Sequence, residues 1–236
     1  MAARAVVDLH CHTSASFDSL SDPVAVARTA ALRGITHLAI TDHDRIDGAL
    51  RARDAATPGL TVIVGSEVRT AQGDLIALFL ERPITAGLPA SEAIAAIRDQ
   101  GGLVGIPHPF DGWRGSLLRD EAALSLLSEV DWIEGWNARL VAPGGNQRAA
   151  ELALSRGLPS VAASDAHTLL EIGGAATIMT GDLSTAAGFH SALHGDLTRI
   201  TGRGALLARL FTPIAKLVNA TRGNRRVSPG VTFGER

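Results

Sequence analysis

The chain has 236 residues and a formal net charge of −2; 46% of its residues are hydrophobic and 19% charged. This apolar content excludes a disordered chain, and a lone cysteine, Cys11, excludes a disulfide framework. No apolar run approaches the ~20 residues of a membrane span and MAARAVVDLH lacks a signal core, so a cytoplasmic protein with one large core is expected.

In chain order, short apolar runs predict strands over Ala5–Leu9, His37–Thr41, Thr61–Gly65, Leu103–Ile106, Trp132–Trp136, Ser160–Ala163 and Ala175–Met179. They are nearly continuously apolar, as in parallel strands covered on both faces. Leu75–Leu80, after Gly73-Asp74, predicts an extra strand returning from the Glu67 segment. Helices are expected between the strands. Asp22-Pro23 is an N-cap and first-turn proline for a helix closed by Gly34. Ser91-Glu92 opens another that ends at Gly101-Gly102, and Asn146–Arg156 is stopped by Gly157. About seven βα units predict an α/β fold. No GxGxxG or GxxxxGK[ST] follows a strand, so a closed or nearly closed barrel is favoured over an open doubly wound sheet. Residues 1–200 are expected to form this single domain, and 201–236 a C-terminal helix with an Arg-rich tail.

A barrel places its active site at the C-terminal strand ends, and the chemically capable residues fall there. His10 and His12 follow the first strand, Asp42 and His43 the second and Glu67 the third; His108, Asn137 and Asp165/His167 follow later ones. Strand alternation puts Asp8, His10 and His12 on one face, where Asp8 could orient an imidazole by accepting its other N–H. Glu67 extends an apolar strand, where a carboxylate is costly unless paired or bound to a cation. Five of the eight histidines lie in such motifs; His37, His190 and His194 do not and read as ordinary structural residues. Mixed His/Asp/Glu donors suit Zn, Fe or Mn, and they outnumber what one ion can take, so two or three divalent ions are implied.

DLHCHT, ITDHD, GSEV, IPHP and SDAH occur in this order, and the pattern resembles the polymerase-and-histidinol-phosphatase (PHP) domain family over residues 5–180. The stretch IEGWNARLVAPGGNQRAAELALSRGLPSVAASDAH is similar to the small stand-alone metal-dependent phosphoesterases of that family. The resemblance implies a distorted (β/α)7 barrel, a trinuclear metal centre and phosphoester hydrolysis. It implies a first ion on His10, His12, Glu67 and Asp165, with Glu67 bridging to a second that His108 also binds. A third would take His43, His167 and Asp18. Relatives carry a histidine after the Glu67 strand where this chain has Asp74, which is expected to serve as ligand in its place; the alternative is a hairpin carboxylate in water.

Other residues carry two readings each. Arg139, after Asn137, suits a phosphate through its guanidinium fork, or is a surface arginine. Asp42 is a ligand or a neighbour that positions one, and Asp44 caps the turn into the next helix. Arg114 is a weaker phosphate candidate, and Trp113 and Trp136 cover the barrel mouth or stack on a base. Leu207, Leu210, Phe211, Ile214, Leu217 and Val218 recur at helical spacing around Pro213, predicting a terminal helix packed on the barrel or else a membrane-surface or partner-binding helix. The substrate expected is a small phosphoester such as a nucleotide or sugar phosphate. The rival readings are an exonuclease on short oligonucleotides and a non-catalytic metal-stabilised scaffold.

Overall fold

Strands and helices alternate through most of the chain, and their order decides which residues meet. The computed structural model describes residues 4–112, 116–117, 121–141, 144–204 and 206–234; Trp113 and Arg114 lie outside these, as does the Leu207 side chain. The strands are β1 (Arg4–Asp8), β2 (His37–Ile40), β3 (Thr61–Arg69), β4 (Asp74–Leu78), β5 (Leu103–Ile106), β6 (Trp132–Asn137), β7 (Ser160–Ala163), β8 (Ala176–Thr180) and β9 (Thr198–Ile200). The helices are α1 (Pro23–Leu32), α2 (Asp47–Asp54), α3 (Ala90–Arg98), α4 (Gly145–Ser155), α5 (Ala186–Leu193) and α6 (Phe211–Thr221), with 3₁₀ turns at Glu121–Ser128 and Leu206–Leu210. The Asp22 carboxylate caps α1 by accepting from Val24 N and Ala25 N, and Gly34 ends the helix turn at φ 79°.

The strands form one sheet in the order β7-β6-β5-β4-β3-β2-β1-β8-β9, rolled into a nearly closed barrel. β4 runs antiparallel to β3 and β5, as the Gly73-Asp74 return predicts. β8 corrects the expectation of a parallel seventh strand: it pairs antiparallel with β1. No helix intervenes in 164–175, and without a crossover helix the chain comes back along the sheet. The seam between β7 and β8 is closed by a side chain: Thr177 Oγ1 accepts from Ala162 N (2.8 Å) and donates to Ala162 O (3.1 Å). At the other end of the seam Cys11 pairs in parallel with Ala166, and His12 N donates to Ala166 O.

Two apolar clusters cover the two faces of the sheet. One joins the outward residues of the strands to α1, α2, α3 and α4 and includes Val26, Ala30, Ile94, Ile97, Ile106 and Ile133. The other fills the barrel floor with Val7, Leu9, Ile63, Ile76, Leu78, Leu103, Trp132 and Met179, and Phe189 and Leu193 of α5 extend it. Trp132 fits because β5 carries Gly105 beside it; a Cβ at 105 would lie 2.0 Å from the indole. Cys11 is buried with the outer cluster.

After β9 the chain folds back over the barrel. α6 docks through Ala215 and Asn219, whose amide donates to Ser16 O and Ser19 O. Its apolar stripe is not the docking face: Leu210, Phe211, Ile214 and Leu217 are each more than half exposed. Two hydrogen bonds from the buried Asn219 side-chain amide to backbone carbonyls thus fix the helix rotation; of the two expected readings, the helix packs on the barrel, but with its leucine stripe turned outward. Pro213 sits in the first turn of α6, where its missing N–H costs nothing. Beyond α6, Asn224 donates to the carbonyls of Ser14, Ala15 and Ser16, and Gly230 and Val231 pair with Ala86.

Candidate metal centre

Three groups of His, Asp and Glu converge at the C-terminal strand ends: His12, Asp18, His43 and His167; His10, His12 and Glu67; and His10, His108 and Asp165. Within each group the donor atoms lie within 4.8 Å of one another, and all are buried. β1 ends at Asp8, and the following extended residues bring His10 and His12 inward so that their Nε2 atoms stand 3.0 Å apart. β3 runs four residues past its expected end at Gly65, to Arg69, and carries Glu67 on the inward face in line with Ile63. Glu67 reaches four rings: its Oε2 lies 3.3 Å from a nitrogen of each of His10, His12 and His43, and its Oε1 3.1 Å from His108. Asp18 Oδ2 lies 3.3 Å from His43 and 3.4 Å from His167.

Three residues here adopt left-handed backbone: Asp44 (φ 57°), His108 (φ 26°) and Asp165 (φ 52°). Such conformations cost of order 1–3 kcal/mol each and persist where surroundings enforce them. For His108 the enforcing contacts are the prolines on either side and its N–H donated to Glu134 Oε2 (2.9 Å).

Glu134 is the residue that sequence reasoning missed. Its Oε1 takes the Nδ1 proton of His10 at 2.7 Å, and its Oε2 accepts from Asn137 Nδ2. Asn137 Nδ2 also donates to Asp165 Oδ2 at 3.0 Å, so one amide spaces two carboxylates. The expected orienting carboxylate, Asp8, is engaged elsewhere: its Oδ1 accepts from Ser164 N and from the backbone of His10. The strand stops at Asp8, so simple alternation does not carry through to His12. The signal for Glu134 was present, since a carboxylate inside the apolar run WIEGWN poses the same puzzle as Glu67.

Asp42 gives both oxygens to Thr13, one to its N–H and one to its hydroxyl, each at 2.6 Å. It anchors the turn after His12, and Gly48 of α2 presses so close that a Cβ there would lie 2.1 Å from Asp42 Oδ2. Asp44 is not a helix cap; its Oδ1 accepts from Arg69 N, and α2 starts without a side-chain cap. Arg139 lines the cavity, held by Glu171 (3.2 Å) and by donation to Thr212 Oγ1 (2.9 Å). Glu171 in turn accepts from the N–H groups of His167 and Thr168, fixing the loop after β7. Asp74 is buried and lines the same cavity; its Oδ1 accepts from Arg226 at 3.0 Å, and it is absent from the three donor groups. Trp136 donates its indole N–H to Gly202 O.

The electrostatics are those of an acid–base cluster shut from water. Burial opposes charge on Glu67, but the His43 and His10 rings hold its carboxyl well below the usual range. Asp18 is likewise held low against burial by His43. Burial disfavours the charged form of His12, yet Asp165 and Glu67 lift it to about 9. His167 goes the other way, to about 4, through burial and the neighbouring His12.

The donor set fits divalent cations. Asp18 Oδ1 and His108 Nδ1 are buried without a hydrogen-bond partner, and two imidazole Nε2 atoms face each other across 3.0 Å beside a carboxylate. Cations relieve both features, and borderline ions take this mixture of imidazole and carboxylate.

Fold and donor set together define a nearly closed α/β barrel whose mouth can hold metal. A family model described as the PHP domain matches residues 8–123, and one described as PHP-associated matches 143–196. An uncharacterized protein of Methanocaldococcus jannaschii is 33% identical over 172 residues, 72% of this chain and 68% of its own length. A 5′-3′ exoribonuclease of Haemophilus influenzae is 33% identical over 118 residues, 44% of this chain and 43% of that protein. In fold, the chain is similar to a two-domain protein of Bacteroides vulgatus containing a predicted PHP-like metal-dependent phosphoesterase. The TM-score is 0.70 at 20% identity, with 85% of this chain and 66% of that one covered. The chain belongs to the PHP family.

Proposed function

We propose that this PHP-family chain is a metal-dependent phosphoric ester hydrolase acting on a small phosphorylated metabolite or nucleotide. The observation that carries the reading is the sharing of His10 and His12 among three donor groups, whose other members Asp18, His43, Glu67, His108, Asp165 and His167 line one cavity of about 700 Å³ together with Arg139. His10, His12, Glu67 and Asp165 would hold one ion, Glu67 and His108 a second, and Asp18, His43 and His167 a third. Divalent cations in such a cluster neutralise phosphoryl oxygens and make hydroxide available near neutral pH.

The chain's own residues do the rest. Glu134 fixes the His10 ring so that Nε2 faces His12 and Glu67, and the Asp42–Thr13 clamp fixes the loop that carries His12. Arg139, immobilised by Glu171, offers its guanidinium to phosphoryl oxygens at the cavity wall. Hydrolysis of short oligonucleotides is the second reading, favoured by the likeness to the exoribonuclease.

Elemental analysis of the purified protein, with a panel of phosphomonoesters and dinucleotides, tests the proposal. Bound Mn, Fe or Zn and turnover abolished by chelation and restored by one of these ions support it. Turnover by metal-stripped protein refutes it.

A further inference from the structure

The donor residues of the metal centre differ in what holds them in place. His10, Glu67, His108 and Asp165 stand on, or within two residues of, strands β1, β3, β5 and β7. Asp18 stands ten residues past the end of β1, in the loop that leads to α1. Yet this loop is the hub of one donor group. Ser16 Oγ accepts from His43 N at 3.0 Å and lies 3.3 Å from His12 Nδ1. Ser19 Oγ donates to His167 O at 2.8 Å, and the Phe17 ring packs on His43 with centroids 5.0 Å apart. Asp18 itself reaches His43 and His167. Every member of the His12–Asp18–His43–His167 group is thus tied to residues 16–19.

What fixes this loop comes from the far end of the chain. Asn219 of α6, only 2% exposed, donates its amide to Ser16 O (3.2 Å) and Ser19 O (2.9 Å), on either side of Asp18. Asn224 donates to the carbonyls of Ser14, Ala15 and Ser16. Its Oδ1 accepts from Arg45 Nη1 at 2.8 Å, which leaves the Nδ2 edge to the carbonyls. Arg45 is in turn held by both oxygens of Asp47. Among the described residues no other donor reaches the Ser16 and Ser19 carbonyls. A side-chain amide suits the task because one nitrogen carries two N–H groups and can serve two carbonyls at once.

We infer that Asn219 and Asn224 are positioning residues of the metal centre: they hold the loop so that Asp18 completes the third ion's site. The affinity for that ion then depends on the segment after β9. The inference rests on the three-ion reading proposed above and deepens it. The physical reason is preorganisation. A ligand on an unrestrained loop loses its freedom only when the ion binds, and the affinity falls accordingly. The other two groups have no donor on this loop and do not share the dependence.

The test strips the protein of metal and reloads it with Mn²⁺, reading stoichiometry by elemental analysis and affinity by titration. Wild-type protein should take up three ions per chain. Asn219→Leu, near in shape but without donors, should weaken the third ion about 10- to 100-fold and leave the other two as they were. A large excess of Mn²⁺ should restore it. Asp18→Ala should lose the same ion, and adding Asn219→Leu to Asp18→Ala should change neither remaining affinity. A merely structural Asn219 would lower thermal stability with all three affinities retained. That result overturns the inference, as does a further loss of metal in the double variant. Should Asn219→Leu not fold, Asn224→Ala, at a half-buried position, carries the same test. A several-fold weaker third ion supports the inference, and an unchanged one overturns it. Wild-type protein that takes up no more than two ions overturns it as well. Wild-type protein that takes up three but hydrolyses no phosphoester removes the hydrolase reading and leaves this test intact.

Discussion

The two ends of the barrel are built from the same strands and obey opposite rules. On β6, Trp132 and Glu134 are two residues apart on one face; the first packs the floor against Gly105, the second holds His10 at the mouth. On β3, Ile63 belongs to the floor and Glu67 to the mouth. Below, apolar side chains meet with few polar groups. Above, buried carboxylates and imidazoles crowd together and three residues sit in left-handed backbone. The floor stabilises the fold, and the mouth draws on that stability to keep charged groups together out of water.

This division of labour can be broken from either end. The largest effect is expected at the mouth: Glu67→Ala removes the carboxylate that reaches four histidines and should lower turnover by about a thousandfold or more, with loss of bound metal. Unfolding in denaturant with chelator should show stability close to that of the wild type; a collapse there would mean that Glu67 holds the fold itself. At the floor, Trp132→Ala should cost about 3–5 kcal/mol of stability while the protein that remains folded keeps its metal content. Glu134→Gln lies between the two ends. It should weaken metal affinity or activity about 10- to 100-fold, read by titration with a metal indicator, since it removes the charge that orients His10 and turns one of the two accepting oxygens, bonded to His10 on one side and to His108 N and Asn137 on the other, into a donor.

Thr177→Val tests the seam. It deletes both hydrogen bonds to Ala162 and leaves two buried backbone groups unmatched, which costs about 1–3 kcal/mol in chemical denaturation with kcat little changed. The smallest effect is expected from His37 at the start of β2, where burial holds the imidazole below its ordinary 6.5. The unfolded chain then binds the proton more readily than the folded one. Its contribution is present above pH 6.5 and lost as pH falls toward the folded value, and His37→Gln should flatten the stability profile in that window.

Much of this was legible in sequence because the signals are local. The Asp22-Pro23 cap, the apolar runs of the strands and the five metal-type motifs each need only a few neighbouring residues to be read. What escaped depends on partners far along the chain. Glu134 matters through His10, 124 residues away, and nothing beside it announces that. The direction of β8 was hidden because an apolar run looks the same in either sense; only the absence of a helix in 164–175 decides it. The apolar spacing of α6 suggested the wrong buried face because one asparagine, bonded to the Ser16 and Ser19 carbonyls, outweighed it. The pairing of Asp74 with Arg226 was hidden too, since the two lie 152 residues apart.

The antiparallel pairing of β1 with β8 has a consequence for assembly. Val7 takes its register from Thr177, so the first strand lacks a neighbour on one edge until nearly the whole barrel sequence is in place. Any species that has formed β1 to β7 alone presents an unpaired apolar edge to solvent, a template for joining another molecule edge to edge. Ring closure over so long a stretch of chain is slow compared with local pairing. Aggregation during refolding should therefore be governed by the arrival of residues 176–180, which cover that edge.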